Sequence, residues 1–79
     1  MDQIEKFLRR LDKNLALKLA LVLHDIVVLK LADYDCKKMK GFDDLFRIRV
    51  GKIRIIFKKM KSHGSPVYIE YRGKVYKKL

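Results

Sequence analysis

LFRIRVGKIRIIFK, residues 45–58, decides the fold. Two runs of β-branched and aromatic residues flank Gly51-Lys52, the composition and spacing of a two-residue β-hairpin. That geometry sets Val50 opposite Ile53, Arg49 opposite Arg54, Ile48 opposite Ile55, Arg47 opposite Ile56 and Phe46 opposite Phe57. Successive strand side chains point to opposite faces. Phe46, Ile48, Val50, Ile53, Ile55 and Phe57 therefore make one apolar face, and Arg47, Arg49, Arg54 and Lys58 crowd the other. Like charges directly across a strand pair are destabilising. Within the hairpin nothing structural explains Arg49 against Arg54, and an anionic ligand would.

Beyond the hairpin, residues 58–66 (KKMKSHGSP) form a polar, breaker-rich connection in which His63 is expected to be exposed. Residues 67–72 (VYIEYR) predict a third strand. Alternation puts Val67, Ile69 and Tyr71 on the apolar face and Tyr68, Glu70 and Arg72 on the basic one, where Glu70 would partly neutralise the arginines. Ahead of the hairpin, Ile4, Phe7, Leu8 and Leu11 recur at helical spacing, predicting a short amphipathic helix over about residues 2–12. Residues 15–32 (LALKLALVLHDIVVLKLA) are too long for a strand and rich in helix formers, so they predict a second helix with Asn14 as its N-cap. Its polar stripe, Asn14, Lys18 and Asp25, is narrow. Such a helix needs cover on more than one side: the sheet on one, the first helix on another, and on a third a partner chain, the plainer alternative being a helix thoroughly buried within its own fold. Residues 33–41 are expected to be a linker whose basic run, Lys37-Lys38-Met39-Lys40, leads into the hairpin.

The 79 residues are expected to form one domain, residues 1–79, near the lower size limit for a self-sufficient core. Cys36 is the only cysteine, so no internal disulfide forms, and neither it nor His24 has neighbours at metal-ligand spacing. No metal and no cofactor is expected. The first ten residues carry acids and lack an unbroken apolar core, unlike a signal peptide, and no run is apolar enough to span a bilayer. A cytoplasmic protein without membrane partners is the expectation.

The net charge of +11 is unevenly placed. Residues 1–36 hold equal numbers of acidic and basic side chains, while residues 37–79 hold fourteen Lys and Arg against Asp43, Asp44 and Glu70. The excess lies on strand faces, which favours nucleic acid over a membrane surface as the polyanion bound; a merely solvated basic surface is the plainer alternative. There is no carboxylate pair, no Ser/His/Asp set and no glycine-rich phosphate loop. Arginine grips phosphate with parallel hydrogen bonds and tyrosine stacks on bases, a combination suited to RNA. It also suits metal-free RNA cleavage, in which a ribose 2′-OH attacks the adjacent phosphate and guanidinium groups stabilise the phosphorane. Arginine stays protonated, so the proton acceptor would be a tyrosine or a group on the partner.

KMKGFDDLFRIRVGKIRIIFK (residues 38–58) followed by RGKVY (residues 72–76) resembles the signature of the RelE/ParE toxin superfamily. The likeness runs from about Lys38 to Leu79, and the two preceding helical segments fit the helical hairpin of that family. The resemblance implies an α+β fold, an N-terminal helical hairpin packed on an antiparallel sheet of about three strands. It implies the toxin of a type II toxin–antitoxin system, a ribosome-dependent, metal-independent mRNA endoribonuclease acting in the A site. Its partners would be mRNA, the ribosome and a cognate antitoxin, in a toxin–antitoxin hetero-oligomer or as a homodimer. By position, Arg47 and Arg49 would hold the RNA and assist 2′-OH deprotonation, Arg54 would stabilise the transition state, Arg72 would act on the phosphate or leaving group, and Tyr76 would stack on the substrate. Lys38, Lys40, Lys52, Lys58, Lys74 and Lys77 would extend the RNA contact. The sequence departs from the pattern in three places. Arg47 and Arg49 stand where lysines are usual, Glu70-Tyr71 replaces a Gly-His pair, and the first strand of the family is missing. A ParE-like inhibitor of DNA gyrase shares the same signature, and a nonenzymatic RNA-binding domain or decayed toxin is the third alternative.

Overall fold

A computed structural model of the chain describes residues 2–71. Asp2 begins the fold as an N-cap, its carboxylate accepting from the Glu5 N–H at 2.9 Å, and α1 follows as Gln3–Arg9. Asp12 repeats the device, accepting from Leu15 N–H at 2.9 Å, and α2 runs from Lys13 to Val27. The expected cap, Asn14, therefore sits inside the first turn, because the better-placed carboxylate two residues earlier takes the free N–H groups.

α2 also stops earlier than its composition predicts. Leu29 adopts φ 61°, its N–H bonds to the Ile26 carbonyl (3.1 Å), and Lys30 N–H bonds to the Asp25 carbonyl (2.8 Å). This is the pattern that normally closes a helix on glycine. The reversal sends the chain back along the sheet, where Asp35–Lys38 forms β1 instead of the expected linker. Tyr34 locks that junction: its hydroxyl donates to the Asp25 carboxylate at 2.5 Å.

β2 (Leu45–Val50), β3 (Ile53–Lys59) and β4 (Gly64–Tyr71) complete a four-stranded sheet in the order β1-β2-β3-β4, every neighbour antiparallel. The fold is α+β, with four strands among the described residues instead of about three. The central hairpin has the register read from its sequence, from Val50↔Ile53 to Phe46↔Phe57. Gly51, at φ 59°, is the first central residue of its turn, a conformation that suits glycine. β4 starts three residues earlier than expected and contains a bulge. Its pairing passes from Ile56↔Tyr68 to Phe57↔Pro66, leaving Val67 as the extra residue. Val67 is consequently 48% exposed and does not join the apolar face.

α1 and α2 cover one side of the sheet. Leu19, Val22 and Ile26 of α2 meet Ile48, Ile53, Ile55, Phe57 and Ile69, all buried. Burying each such side chain is worth about 1.5–3 kcal/mol. Phe57 stacks on Phe46 (centroids 5.7 Å apart), and Tyr71 reaches Phe7 of α1 at 5.1 Å. Gly64 lies against the end of α2, where a Cβ would collide with the carbonyl oxygen of Ile26. Leu17 and Leu21, at 59% and 67% exposure, leave the third side of α2 uncovered among the described residues. No described helix is long and apolar enough to cross a membrane.

Candidate nucleic-acid interface

The side of the sheet away from the helices carries the charged residues in rows set by strand register. One row reads Asp35, Arg49, Arg54, Glu70 across the four strands. The neighbouring row reads Lys37, Arg47, Ile56, Tyr68, and beyond it Leu45 stands beside Lys58. Arg47, Arg49, Arg54 and Lys58 are thus brought onto a single face.

The first row corrects one expectation. Arg49 against Arg54 needs no anionic ligand, because each arginine has a carboxylate on its outer flank. Arg49 Nε donates to Asp35 Oδ2 at 3.1 Å, and Arg54 Nη1 lies 3.5 Å from Glu70 Oε2. The two pairs differ in weight. Arg49 and Asp35 are 34% and 43% exposed, so solvent screens them, whereas Arg54 and Glu70 are 17% and 9% exposed. The hydrogen bond from Arg49 holds the Asp35 carboxyl below its ordinary range against the opposing effect of burial, with Arg49, Arg47 and Lys37 adding their fields. Lys58 sits 3.6 Å from Asp44, both half-exposed, a pair of little energetic weight.

Arg47 is different. Its row contains Lys37, Ile56 and Tyr68 but no carboxylate. Its Nη1 is buried and makes no hydrogen bond. A buried guanidinium N–H left without an acceptor is costly, and it is the kind of group that a phosphate oxygen would satisfy.

The expected lysines divide. Lys38 pairs with Phe46, which places it on the helix-bearing side of the sheet and not on the arginine face. The reason is parity: once Asp35–Lys38 is a strand, Lys37 and not Lys38 shares a face with Arg47. Lys40 is exposed in the turn after β1, next to Gly41, and Lys52 is exposed at the tip of the hairpin, so neither lies among the arginines. Arg72, Lys74, Tyr76 and Lys77 lie outside the described residues. His63 is exposed in the turn between β3 and β4. Burial is the largest influence on Cys36 and raises its thiol pKa, against the opposing fields of Lys59 and Arg47. No three His, Cys, Asp or Glu side chains converge as a metal site among the described residues.

Two members of the face carried no site role in the sequence reading. Lys37 was hidden because its segment lacked a strand pattern. Tyr68 was placed on the basic face by alternation, yet nothing in one sequence distinguished it from a solvated tyrosine. No protein-family model matches the chain, and neither the curated proteins nor the solved structures compared with it give a significant match.

Proposed function

We propose that the protein is the toxin of a type II toxin–antitoxin pair, a RelE-like endoribonuclease that cuts mRNA in the ribosomal A site without a metal. The observation that carries this reading is Arg47: a guanidinium with one buried, unbonded nitrogen, on the same face of the sheet as Arg49, Arg54 and Lys37. That face offers several fixed cations to a phosphate and its neighbours. In the reaction the O2′–P bond forms as the 2′-OH gives up its proton, and the P–O5′ bond breaks as the leaving oxygen gains one. Negative charge builds on the equatorial oxygens between those events, where Arg47 and Arg54 stabilise it beyond the ground state. Arg49 holds the flanking phosphate. Arg72 and Tyr76 keep the phosphate and stacking roles that the family resemblance implies.

An antitoxin would approach as an acidic, partly apolar segment. Its apolar side chains fit the uncovered Leu17 and Leu21 of α2, and its carboxylates fit the cationic face. The cytoplasm, where ribosomes and gyrase reside, is the compartment this reading requires.

The test uses programmed ribosomes, with mRNA 5′ ends mapped by primer extension. Wild type should cut in the A site, and Arg47→Ala should lose about 10²–10³ in rate, the usual cost of one transition-state donor. Arg47 is the informative position because no carboxylate is orphaned by its removal. Intact mRNA with gyrase-dependent DNA breaks would transfer the assignment to a ParE-like inhibitor, and intact mRNA and DNA would leave an RNA-binding domain.

A further inference from the structure

Tyr68 and Ile56 are direct neighbours across β3 and β4 on the arginine-bearing face, with Arg47 beside Ile56 and Arg54 one row away. Tyr68 is 38% exposed. Its hydroxyl makes no hydrogen bond to another described residue, so what the protein displays there is the ring. The bulge at Val67 lies immediately before it, and bulges re-aim the side chains that follow them. The result is an apolar floor, ring plus isoleucine, bordered by guanidinium groups on one side.

Resting on the nucleic-acid reading above, we propose that Tyr68 and Ile56 form a nucleobase-stacking subsite for single-stranded RNA, adjacent to the phosphate held by Arg47 and Arg54. Charge complementarity selects the occupant. An apolar floor beside Arg47 and Arg54, with Glu70 already paired to Arg54, disfavours a basic partner, and it accommodates a molecule that alternates flat apolar rings with negative charges. Single-stranded RNA has that alternation at every nucleotide. Every base has a π-face, so the subsite would hold a base without choosing among the four strongly.

The experiment measures binding of a 2′-O-methyl RNA hexamer, which cannot undergo 2′-OH attack, so affinity is read apart from cleavage. The intact hexamer is compared with versions carrying one abasic position each, against wild type, Tyr68→Ala, Tyr68→Leu and Tyr68→Phe. Stacking predicts that one abasic position weakens wild-type binding about tenfold. Tyr68→Ala and Tyr68→Leu should weaken the intact hexamer by a similar factor, and for both the abasic lesion should then cost nothing further. Tyr68→Phe should recover the affinity lost in Tyr68→Ala. Circular dichroism melts identify any variant whose loss comes from unfolding, and Tyr68→Leu keeps apolar bulk on the strand should alanine prove too disruptive. If wild type binds the hexamer and the abasic lesion costs the same with and without the Tyr68 ring, the stacking subsite is wrong while the phosphate face stands. If wild type does not bind the intact hexamer, the subsite is overturned, and the cleavage assay on programmed ribosomes decides the nuclease reading separately.

Discussion

Gln3 pairs with Ile69 as one strand residue pairs with another. Its Nε2 donates to the Ile69 carbonyl at 2.5 Å, and its Oε1 accepts from the Ile69 N–H at 3.0 Å. The two residues are 66 positions apart in sequence. Among the described residues β4 is an edge strand, with backbone groups that would otherwise need another partner. One side-chain amide on α1 satisfies the middle of that edge and ties helix to sheet. Gln3→Ala should lower the unfolding free energy by about 1–3 kcal/mol, two hydrogen bonds of ordinary worth. Urea titration followed by circular dichroism checks this; an unchanged midpoint would show that water replaces the amide at no cost.

Arg54 and Glu70 make a stability prediction that bears on any activity measurement. Removing one member of a buried ion pair strands the other charge, at a cost of about 3–5 kcal/mol. Arg54→Ala should therefore melt well below wild type, and Arg54→Ala combined with Glu70→Ala should recover much of the loss. If the double variant is no more stable than the single one, the pair is not acting as a unit. Loss of activity in Arg54→Ala alone does not separate catalysis from folding.

Tyr34 gives a pH signature. Its hydroxyl donates to the Asp25 carboxylate, and that hydrogen bond, followed by burial and the fields of Asp25 and Asp33, pushes its pKa from 10.0 up to about 12. A folded-state pKa above the unfolded one means that the protonated phenol stabilises the fold. The contribution is full below pH 10.0 and is lost as the pH rises towards about 12. The stability difference between wild type and Tyr34→Phe should thus be constant from neutral pH to about 9 and shrink above pH 10. A difference that stays flat up to pH 12 would show that the phenol proton is not what holds α2 to β1.

Leu29 occupies a backbone conformation that costs a residue with a Cβ about 1–2 kcal/mol. Leu29→Gly should raise the unfolding free energy by about 0.5–1 kcal/mol after allowing for the greater freedom of glycine in the unfolded chain. Thermal melts at one pH suffice, and a lowered melting temperature would mean that the leucine side chain contributes more packing than its backbone loses.

The same residue shows where sequence reading stops. The hairpin was legible in full because its turn glycine, its alternation and its burial all agree, down to the pairing of Arg49 with Arg54. The end of α2 was not, since the chain closes the helix on a leucine where glycine would have marked the boundary. β1 was missed for a related reason. Asp35-Cys36-Lys37-Lys38 has no intrinsic strand pattern, and its pairing depends on what β2 presents, above all Arg49 opposite Asp35. With β1 unseen, the acid on one flank of the arginine pair was unseen as well, and the repulsion looked only partly compensated, by Glu70. The bulge at Val67 likewise leaves no local mark that separates it from ordinary alternation.

The far edge of the sheet has its own safeguard. β1 is four residues long and carries two adjacent lysines, Lys37 and Lys38, both exposed. A second copy docking side by side at this margin would bring ammonium groups together from both molecules, on both sides of the junction. Endless lateral stacking into a fibre is thereby discouraged at one border by electrostatics and at the other by the amide of Gln3.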